Sequence, residues 1–166
     1  QDSVSRSYAE LSGTYEDGGF RDTWQATRAW SAGVSTASIQ HLEKMSLKGS
    51  FAFTQTEGYD MCGSMFIKPG YYPVDILEFT PGRKTLQTYA FDGGISYDVA
   101  DGWRIGAMMD FESANMAKRK DLRHSNWRLD MTVSPGFMYH RGDFAIGANY
   151  ILRKTSESVE AEQVGI

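Results

Sequence analysis

Apolar and polar residues alternate along most of the chain, and the alternation has a period of two residues. Trp103, Ile105 and Phe111, for example, alternate with Arg104 and Asp110. The same alternation recurs in the segments 46–56, 85–99, 125–139 and 143–153. A period of two is typical of a β-strand with one apolar face, whereas a helix repeats about every 3.6 residues. The sequence therefore predicts an all-β chain of about seven strands and no helix.

The predicted links between strands alternate in length. Short links lie at 41–45, 99–103 and 139–143, and longer ones at 16–22, 57–84 and 113–125. Asp101-Gly102 and Arg141-Gly142 supply the glycine that a two-residue hairpin turn needs for positive φ. In an antiparallel up-and-down meander every second link lies at the same end, so the short links share one end. This sorting is typical of an outer-membrane β-barrel, with short periplasmic turns and long outer loops.

The predicted strands are long, and aromatic residues gather near the short links. The strands run for about 10–15 residues, against roughly 5–6 in soluble sheets and about 9–11 in a bilayer-spanning strand. The aromatic residues near the short links are Tyr97, Trp103, Phe137, Tyr139 and Phe144. Such a belt is typical of a membrane interface. We therefore predict that residues 1–166 form one segment of a transmembrane β-barrel whose apolar face meets lipid.

The companion face of the predicted strands carries polar and charged side chains. These lumen-facing candidates are Asp92, Asp98, Arg104, Asp110, Glu112, Arg128, Asp130, Asn149 and Arg153. Ionised groups are not stable unpaired in a dry protein core, but they can line a wet or salt-bridged lumen. Both signs of charge are present, which favours pairing between strands. The sequence leaves open whether such a lumen is open or filled.

Composition narrows the function classes. Hydrophobic residues make up 41% of the chain and the formal net charge is −4, which gives no general attraction to nucleic acid. No stretch approaches the roughly 18–20 unbroken apolar residues of a membrane helix. The single cysteine, Cys62, excludes an intrachain disulfide. The opening QDSVSRSY lacks the features of a signal peptide, so we expect a protein without one, or a mature or partial sequence.

Two predicted outer loops carry candidate binding chemistry. The loop 113–125 holds a basic run, Lys118, Arg119, Lys120 and Arg123. This run could bind lipopolysaccharide phosphates through charge-assisted hydrogen bonds, or it could be an ordinary solvated loop. The loop 57–84 is rich in aromatic residues and proline. It could fold into the lumen as a constriction, stack on sugars, or pack on itself outside the barrel.

The sequence gives no sign of catalysis. An outer-membrane hydrolase would need a serine, a histidine and an acid at one rim, but His124 and Ser125 are adjacent and would point to opposite faces. Phosphate loops, paired-histidine metal motifs and glycine-bracketed serines are all missing from the sequence. We therefore expect no enzymatic activity, no metal and no cofactor.

Three stretches also resemble a known family. ISYDVADGWRIGAMMDF (95–111), SPGFMYHRGDFAIGANY (134–150) and RKTSESVEAEQVGI (153–166) resemble the barrel region of a Bacteroidota outer-membrane protein family of undefined function. The resemblance implies a Gram-negative outer-membrane location and a barrel larger than this chain. Single-chain bacterial barrels have an even number of strands. Seven strands therefore predict a piece of a longer barrel, or a barrel whose other strands come from elsewhere.

Three functions remain open at this point. The first is a porin-like or transport-accessory barrel in contact with outer-membrane lipid and lipopolysaccharide. The second is a structural or assembly scaffold whose outer loops bind other outer-membrane or surface proteins. The third is a soluble lipocalin-like barrel whose apolar face lines a cavity for a small apolar ligand. Nucleic acid is not an expected partner, since one basic loop in an acidic chain releases few counterions.

Overall fold

The chain forms one antiparallel β-sheet. The computed structural model describes residues 4–22 and 24–164. The strands are β1 (Arg6–Asp17), β2 (Arg28–His41), β3 (Met45–Ser64), β4 (Leu77–Ala100), β5 (Trp103–Lys118), β6 (Arg123–Arg141), β7 (Phe144–Asn149) and β8 (Leu152–Glu162). Chain neighbours from β1 to β7 are also sheet neighbours, which confirms the predicted all-β antiparallel meander. Within these residues, no helix is long and apolar enough to cross a membrane.

The strands β7 and β8 are two parts of one edge strand. Both pair with β6 in a single continuous register. Between them, the backbone N–H of Tyr150 donates to the carbonyl oxygen of Pro135 at 2.9 Å. Pro135 has no N–H to donate in return, so the ladder lapses at Tyr150 and Ile151. The sheet is therefore seven strands wide.

The sheet is open. Within the described residues, β1 pairs with β2 alone, and β7 and β8 pair with β6 alone. The two edges do not meet, so these residues do not close a barrel by themselves. Long edges of this kind present unpaired backbone groups to which another strand can add.

The turns alternate in length around the meander. Between strands, the short turns are 42–44, 101–102 and 142–143, and the other connections are 18–27, 65–76 and 119–122. The short turns therefore share one end of the sheet, which we call the turn side, and the opposite end is the loop side. Gly102 and Gly142 have φ values of 74° and 58°, so both predicted hairpin glycines adopt the conformation that favours glycine.

The predicted long loop 57–84 is mostly strand. Only 65–76 lies outside β3 and β4, because β3 continues to Ser64 and β4 begins at Leu77. Pro81 favoured a loop in the sequence, but it lies where the register between β3 and β4 is irregular. At a bulge of this kind an unpaired backbone position tolerates proline.

The predicted basic loop 113–125 is also shorter than expected. The strand β5 runs to Lys118 and β6 starts at Arg123, which leaves 119–122 as the connection. The hydrophobic alternation fades here because both faces change character. Ser113 and Asn115 replace aromatic residues on one face, and the small Ala114 replaces a charge on the other.

The register gives the sheet two chemically distinct faces. Phe91, Phe111 and Met131 lie side by side on the apolar face. The other face is the polar face, where Asp92 lies opposite Asp110. The buried residues of β5 and β6 all belong to the polar face, and they are Ala114, Met116, Lys118, His124, Asn126 and Arg128. The core therefore lies on the polar face, towards the loop side.

Candidate functional site

The segment 65–76, which we call the strap, folds back onto the polar face. Its Ile67 N–H donates to Glu157 Oε1 at 2.7 Å. The Lys68 ammonium lies 2.8 Å from Glu112 Oε1. The strap therefore covers part of the polar face. Its aromatic residues also pack on one another, because the ring centroids of Phe66 and Tyr71 each lie 5.0 Å from that of Tyr72. Whether it constricts a lumen, as one of the predicted arrangements has it, stays a prediction.

Arg128 joins the strap to the strands. Its side chain is only 1% exposed and contacts Glu157 Oε2 at 3.3 Å and Asp130 Oδ2 at 3.2 Å. It also donates to the Tyr72 hydroxyl at 3.3 Å, and its guanidinium lies 4.4 Å from the ring centroid of Tyr71. A planar cation that stacks on an aromatic ring while it binds carboxylates is a role suited to arginine. Arg128 therefore holds two tyrosines of the strap against β6 and β8.

A second group of ion pairs lies nearer the loop side. Glu78 Oε1 lies 3.1 Å from the Lys84 ammonium, and Glu78 Oε2 forms an ion pair with Lys118. Lys84 also donates to the carbonyl oxygen of Ser64 at 3.0 Å. Burial lowers the pKa of Lys84, and Glu78 opposes that shift. Two buried ammonium groups thus share one carboxylate.

This geometry corrects the predicted anion-binding run. Lys118 is not in a loop, because it ends β5 with its side chain fully buried against Glu78. On β5, every second side chain lies on the polar face as far as Lys118. The sequence did not reveal this, because the hydrophobic alternation fades before Lys118. Arg119 and Lys120 are exposed. Arg123 is also exposed and pairs with Asp121 at 3.2 Å.

His124 and Asn126 link this group to the strap. Asn126 Oδ1 lies 2.8 Å from His124 Nδ1, and Asn126 Nδ2 donates to the carbonyl oxygen of Met65. Burial lowers the pKa of His124. Its Nε2 is buried and has no hydrogen-bond partner among residues 4–22 and 24–164. Buried polar atoms without partners are rare and call for an explanation.

The predicted lumen-facing residues all share the polar face. The register places Asp92, Asp98, Arg104, Asp110, Glu112, Arg128, Asp130, Asn149 and Arg153 on that side of the sheet. Whether this face borders a lumen stays a prediction.

Most of these charges are paired. Arg104 binds Asp98 through two hydrogen bonds of 2.6 and 3.0 Å. Arg153 binds Asp130 through two of 3.1 and 2.9 Å. The predicted pairing between strands is therefore present.

An open cleft of about 430 Å³ lies on the polar face. Asp92, Asp110, Glu112 and Arg153 line it together with Lys68 of the strap. No group of three or more His, Cys, Asp or Glu side chains in the described part of the chain is placed to hold a metal ion. The cleft therefore offers a wall of mixed charge beside the strap.

Several residues of the site were not predicted from the sequence. Glu78 and Lys84 were assigned to a loop, and Asn126 and Glu157 carried no recognised motif. One usable signal existed, because Asn126, Arg128 and Asp130 alternate in step along β6. Polar residues at every second position indicate one continuous polar stripe, whichever solvent the stripe meets.

These features define a class: an open, all-β antiparallel meander with one apolar face and one ion-paired polar face covered by a strap. Residues 1–164 match a family described as a family of unknown function (DUF6850), and the chain belongs to that family. No curated protein and no solved structure matches the chain.

Proposed function

We propose that this chain forms part of the wall of a transmembrane β-barrel in a bacterial outer membrane, with a porin-like or transport-accessory role. In this proposal the apolar face meets lipid and the polar face borders the barrel interior. The strap lies inside and narrows the passage. A link to the Bacteroidota family that the sequence resembles is part of the same proposal.

The exposed apolar face carries the proposal. Ile105 is 47% exposed and Ile146 is 57% exposed, and their aromatic neighbours on the same face are comparably exposed. Soluble monomers rarely expose contiguous apolar patches larger than a few hundred Å². In a bilayer, the same surface is in its preferred solvent. The lipocalin-like alternative would instead bury this face, whereas the buried residues of β5 and β6 belong to the polar face.

The height of the apolar band also supports the proposal. On β6 the apolar face runs from Trp127 to Tyr139, which is about 40 Å at roughly 3.3 Å per residue. A tilt of about 40° reduces this length to roughly 30 Å, which is enough for an apolar band about 25 Å tall with an aromatic girdle at each edge. At the loop-side edge of the band the face turns polar, because Asn115 lies opposite Trp127 and beside Gln87.

The loop side carries the proposed contacts with other molecules. Arg119, Lys120 and Arg123 lie at this end, beyond the apolar band, and three exposed cations suit lipopolysaccharide phosphates. Because Lys118 is engaged with Glu78, it is not part of this proposed contact. Nucleic acid is not among the proposed partners.

A scaffold role is a second candidate, and one observation favours it. The polar face is occupied by ion pairs and by the strap, as it would be in a barrel that is filled. A structural or assembly component would keep that filling permanently. A porin-like protein would pass ions beside the strap.

The test is heat modifiability of the native, full-length protein extracted from membranes in mild detergent. A closed barrel migrates differently on a denaturing gel before and after boiling, and we expect that shift. Recovery in the aqueous fraction without a shift would contradict the proposal. Conductance of the purified protein in planar bilayers then separates the two candidates, since a filled scaffold passes no current.

A further inference from the structure

The first residue of the strap, Met65, is hydrogen-bonded to β6 through its carbonyl oxygen. Asn126 Nδ2 donates to the carbonyl oxygen of Met65 and, at 3.4 Å, to Glu157 Oε1. Met65 and Asn126 are each 2% exposed. Glu157 also accepts from the Ile67 N–H, so Asn126 and Glu157 together hold the first residues of the strap. The Met65 N–H donates within the strap, to the carbonyl oxygen of Ile76 at 2.7 Å. The orientation of the Asn126 amide decides the contact with the carbonyl oxygen of Met65.

The hydrogen bonds of Asn126 assign the proton of its neighbour, His124. Only the amide NH₂ can donate to a carbonyl and a carboxylate, so Asn126 Oδ1 is the atom 2.8 Å from His124 Nδ1. An amide oxygen accepts, so Nδ1 carries the proton of the neutral imidazole. The lone pair lies on Nε2, which is buried and has no hydrogen-bond partner among the described residues.

Charged groups from several elements surround His124. It lines an open cavity together with Glu160 and Glu162 of β8 and with the cations Arg119 and Arg123. Lys84 from β4, Lys118 from β5 and Glu78 from β4 are the charged groups that act on the imidazole. Glu78 is already shared by both lysines. Glu157 from β8 lies beyond Asn126 and is engaged by Arg128 at 3.3 Å. A second proton on His124 would therefore add a third cation to a buried group that has one carboxylate, and Nε2–H would lack an acceptor.

We propose that the strap is an acid-released gate, in which protonation of His124 at Nε2 frees residues 65–76 from the polar face. The charged imidazole and the two lysines repel one another at close range in a buried site. Movement of the strap admits water and relieves that repulsion. The consequence for passage through a barrel rests on the proposed function, whereas the release itself does not.

The direction of the pH dependence follows from linkage. In the closed state burial lowers the pKa of His124 below its ordinary value near 6.5. Release of the strap exposes the imidazole, so the released state binds more protons. The closed state, in which the strap lies on the polar face, is therefore most stable relative to the released state above the ordinary imidazole range. Its relative stability decreases as the pH falls through that range. One proton can change the equilibrium by at most about tenfold per pH unit.

The thiol of Cys62 is chosen as the reporter, because Cys62 is buried on β3 just before the strap and we expect release of the strap to expose it. It is 7% exposed, precedes Met65 by three residues and interacts with Lys84. The full-length protein in detergent would be treated with a maleimide between about pH 7.5 and pH 5.5, a window that brackets the imidazole range and lies above that of carboxyl groups. The label at Cys62 would be quantified by peptide mass spectrometry.

The His124→Gln variant removes the titration. Maleimide reacts with the thiolate, so the labelling rate of a cysteine in any protein decreases as the pH is lowered. The ratio of wild-type to His124→Gln rates at each pH cancels that effect. We expect the ratio to rise severalfold on acidification, and a ratio that does not change would overturn the proposal. His140→Gln, at an exposed position on the turn side, is the matched control and should keep the wild-type profile.

A second variant guards against failure of His124→Gln to assemble. Lys118→Met removes one of the two ammonium groups, so Glu78 can better offset a protonated His124. The pKa of His124 in the closed state then lies nearer its value in the released state, so the rise in labelling on acidification should be smaller. An unchanged profile would also count against the gate. Heat modifiability of the same samples tests the proposed function separately. A heat-modifiable protein with a flat ratio refutes the gate alone, and a rising ratio without heat modifiability refutes the membrane proposal alone.

Discussion

The turn side and the loop side of the same sheet differ in which residues are exposed and which are buried. On the turn side the apolar face is exposed and rich in aromatic residues, and the polar face holds accessible pairs such as Asp98 and Arg104. On the loop side the apolar face gives way to polar residues such as Asn115. The polar face buries charges there, Arg128 beneath the strap and Lys118 against Glu78. The comparison teaches that one set of strands can meet two different environments along its length. The following predictions test that division, from the largest expected effect to the smallest.

Arg128→Ala should cause the largest loss of stability. Removing one partner from a buried ion pair leaves the other charges uncompensated and typically costs about 3–5 kcal/mol. Glu157 and Asp130 would lose their buried partner, and Tyr71 would lose its stacking cation. The free energy of unfolding in denaturant, measured in detergent, reports the loss.

The control for Arg128→Ala is Arg83→Ala. Arg83 is 48% exposed and lies 3.7 Å from Glu57, and an exposed pair contributes roughly 0–1 kcal/mol. If both variants lost the same free energy, the loop side would not contain the buried ionic core described above.

Val133→Arg tests the turn side. Val133 lies midway between Trp127 and Tyr139 on the apolar face, which is the centre of the proposed membrane band. An arginine at the bilayer midplane of a barrel costs about 2–4 kcal/mol, so we expect a much lower yield of heat-modifiable protein. The matched control, Ser125→Arg, lies on the same face of the same strand, two residues beyond Trp127, and should assemble normally. Normal assembly of Val133→Arg would argue against lipid contact.

Lys68→Met should have a small effect on stability and a larger one on passage. Lys68 and Glu112 are 44% and 38% exposed, so the loss of their ion pair should cost no more than about 1 kcal/mol. The strap would lose its contact with β5 while Arg128 still held its tyrosines. In an open barrel, single-channel conductance should increase. A large drop in stability would show instead that the strap is a structural part of the barrel.

Asp110→Asn should leave assembly unchanged. Asp110 lies opposite Asp92 in the cleft, where Lys48 binds Asp92 at 3.1 Å. Removing this carboxylate changes the charge of the cleft, so ion selectivity should shift towards anions if the cleft conducts. Reversal potentials in a salt gradient measure that shift. Normal assembly with no current in either protein would favour the scaffold.

Much of the turn side could be predicted from the sequence. Large apolar residues such as Trp103 and Ile105 alternate with Arg104 in a period that only a strand satisfies. Gly102 and Gly142 located the hairpins, because the turns need positive φ. The polar stripe on β4 to β6 followed from the same alternation, since side chains on a strand point to opposite faces in turn.

The loop side resisted prediction for a physical reason. There the apolar face carries polar residues, so the end of β5, at 113–118, shows no hydrophobic period. Lys118 was assigned to a binding loop because a lysine in a charged run is usually solvated, and only its partner Glu78, forty residues earlier, reveals its burial. Contacts of that separation carry no local signal.

Opposite Pro135 of β6 the backbone ladder is interrupted, so one edge of the sheet is held as two separate segments, β7 and β8. Backbone bonds hold β7 along 144–149, where every residue is exposed. By contrast β8 is anchored by Glu157, whose carboxylate binds both Arg128 and the strap. Because the ladder lapses at Pro135, fraying that starts in β7 stops there and does not pass into β8. This edge therefore opens in two steps, and amide hydrogen exchange should be fast in β7 while β8 keeps its protection.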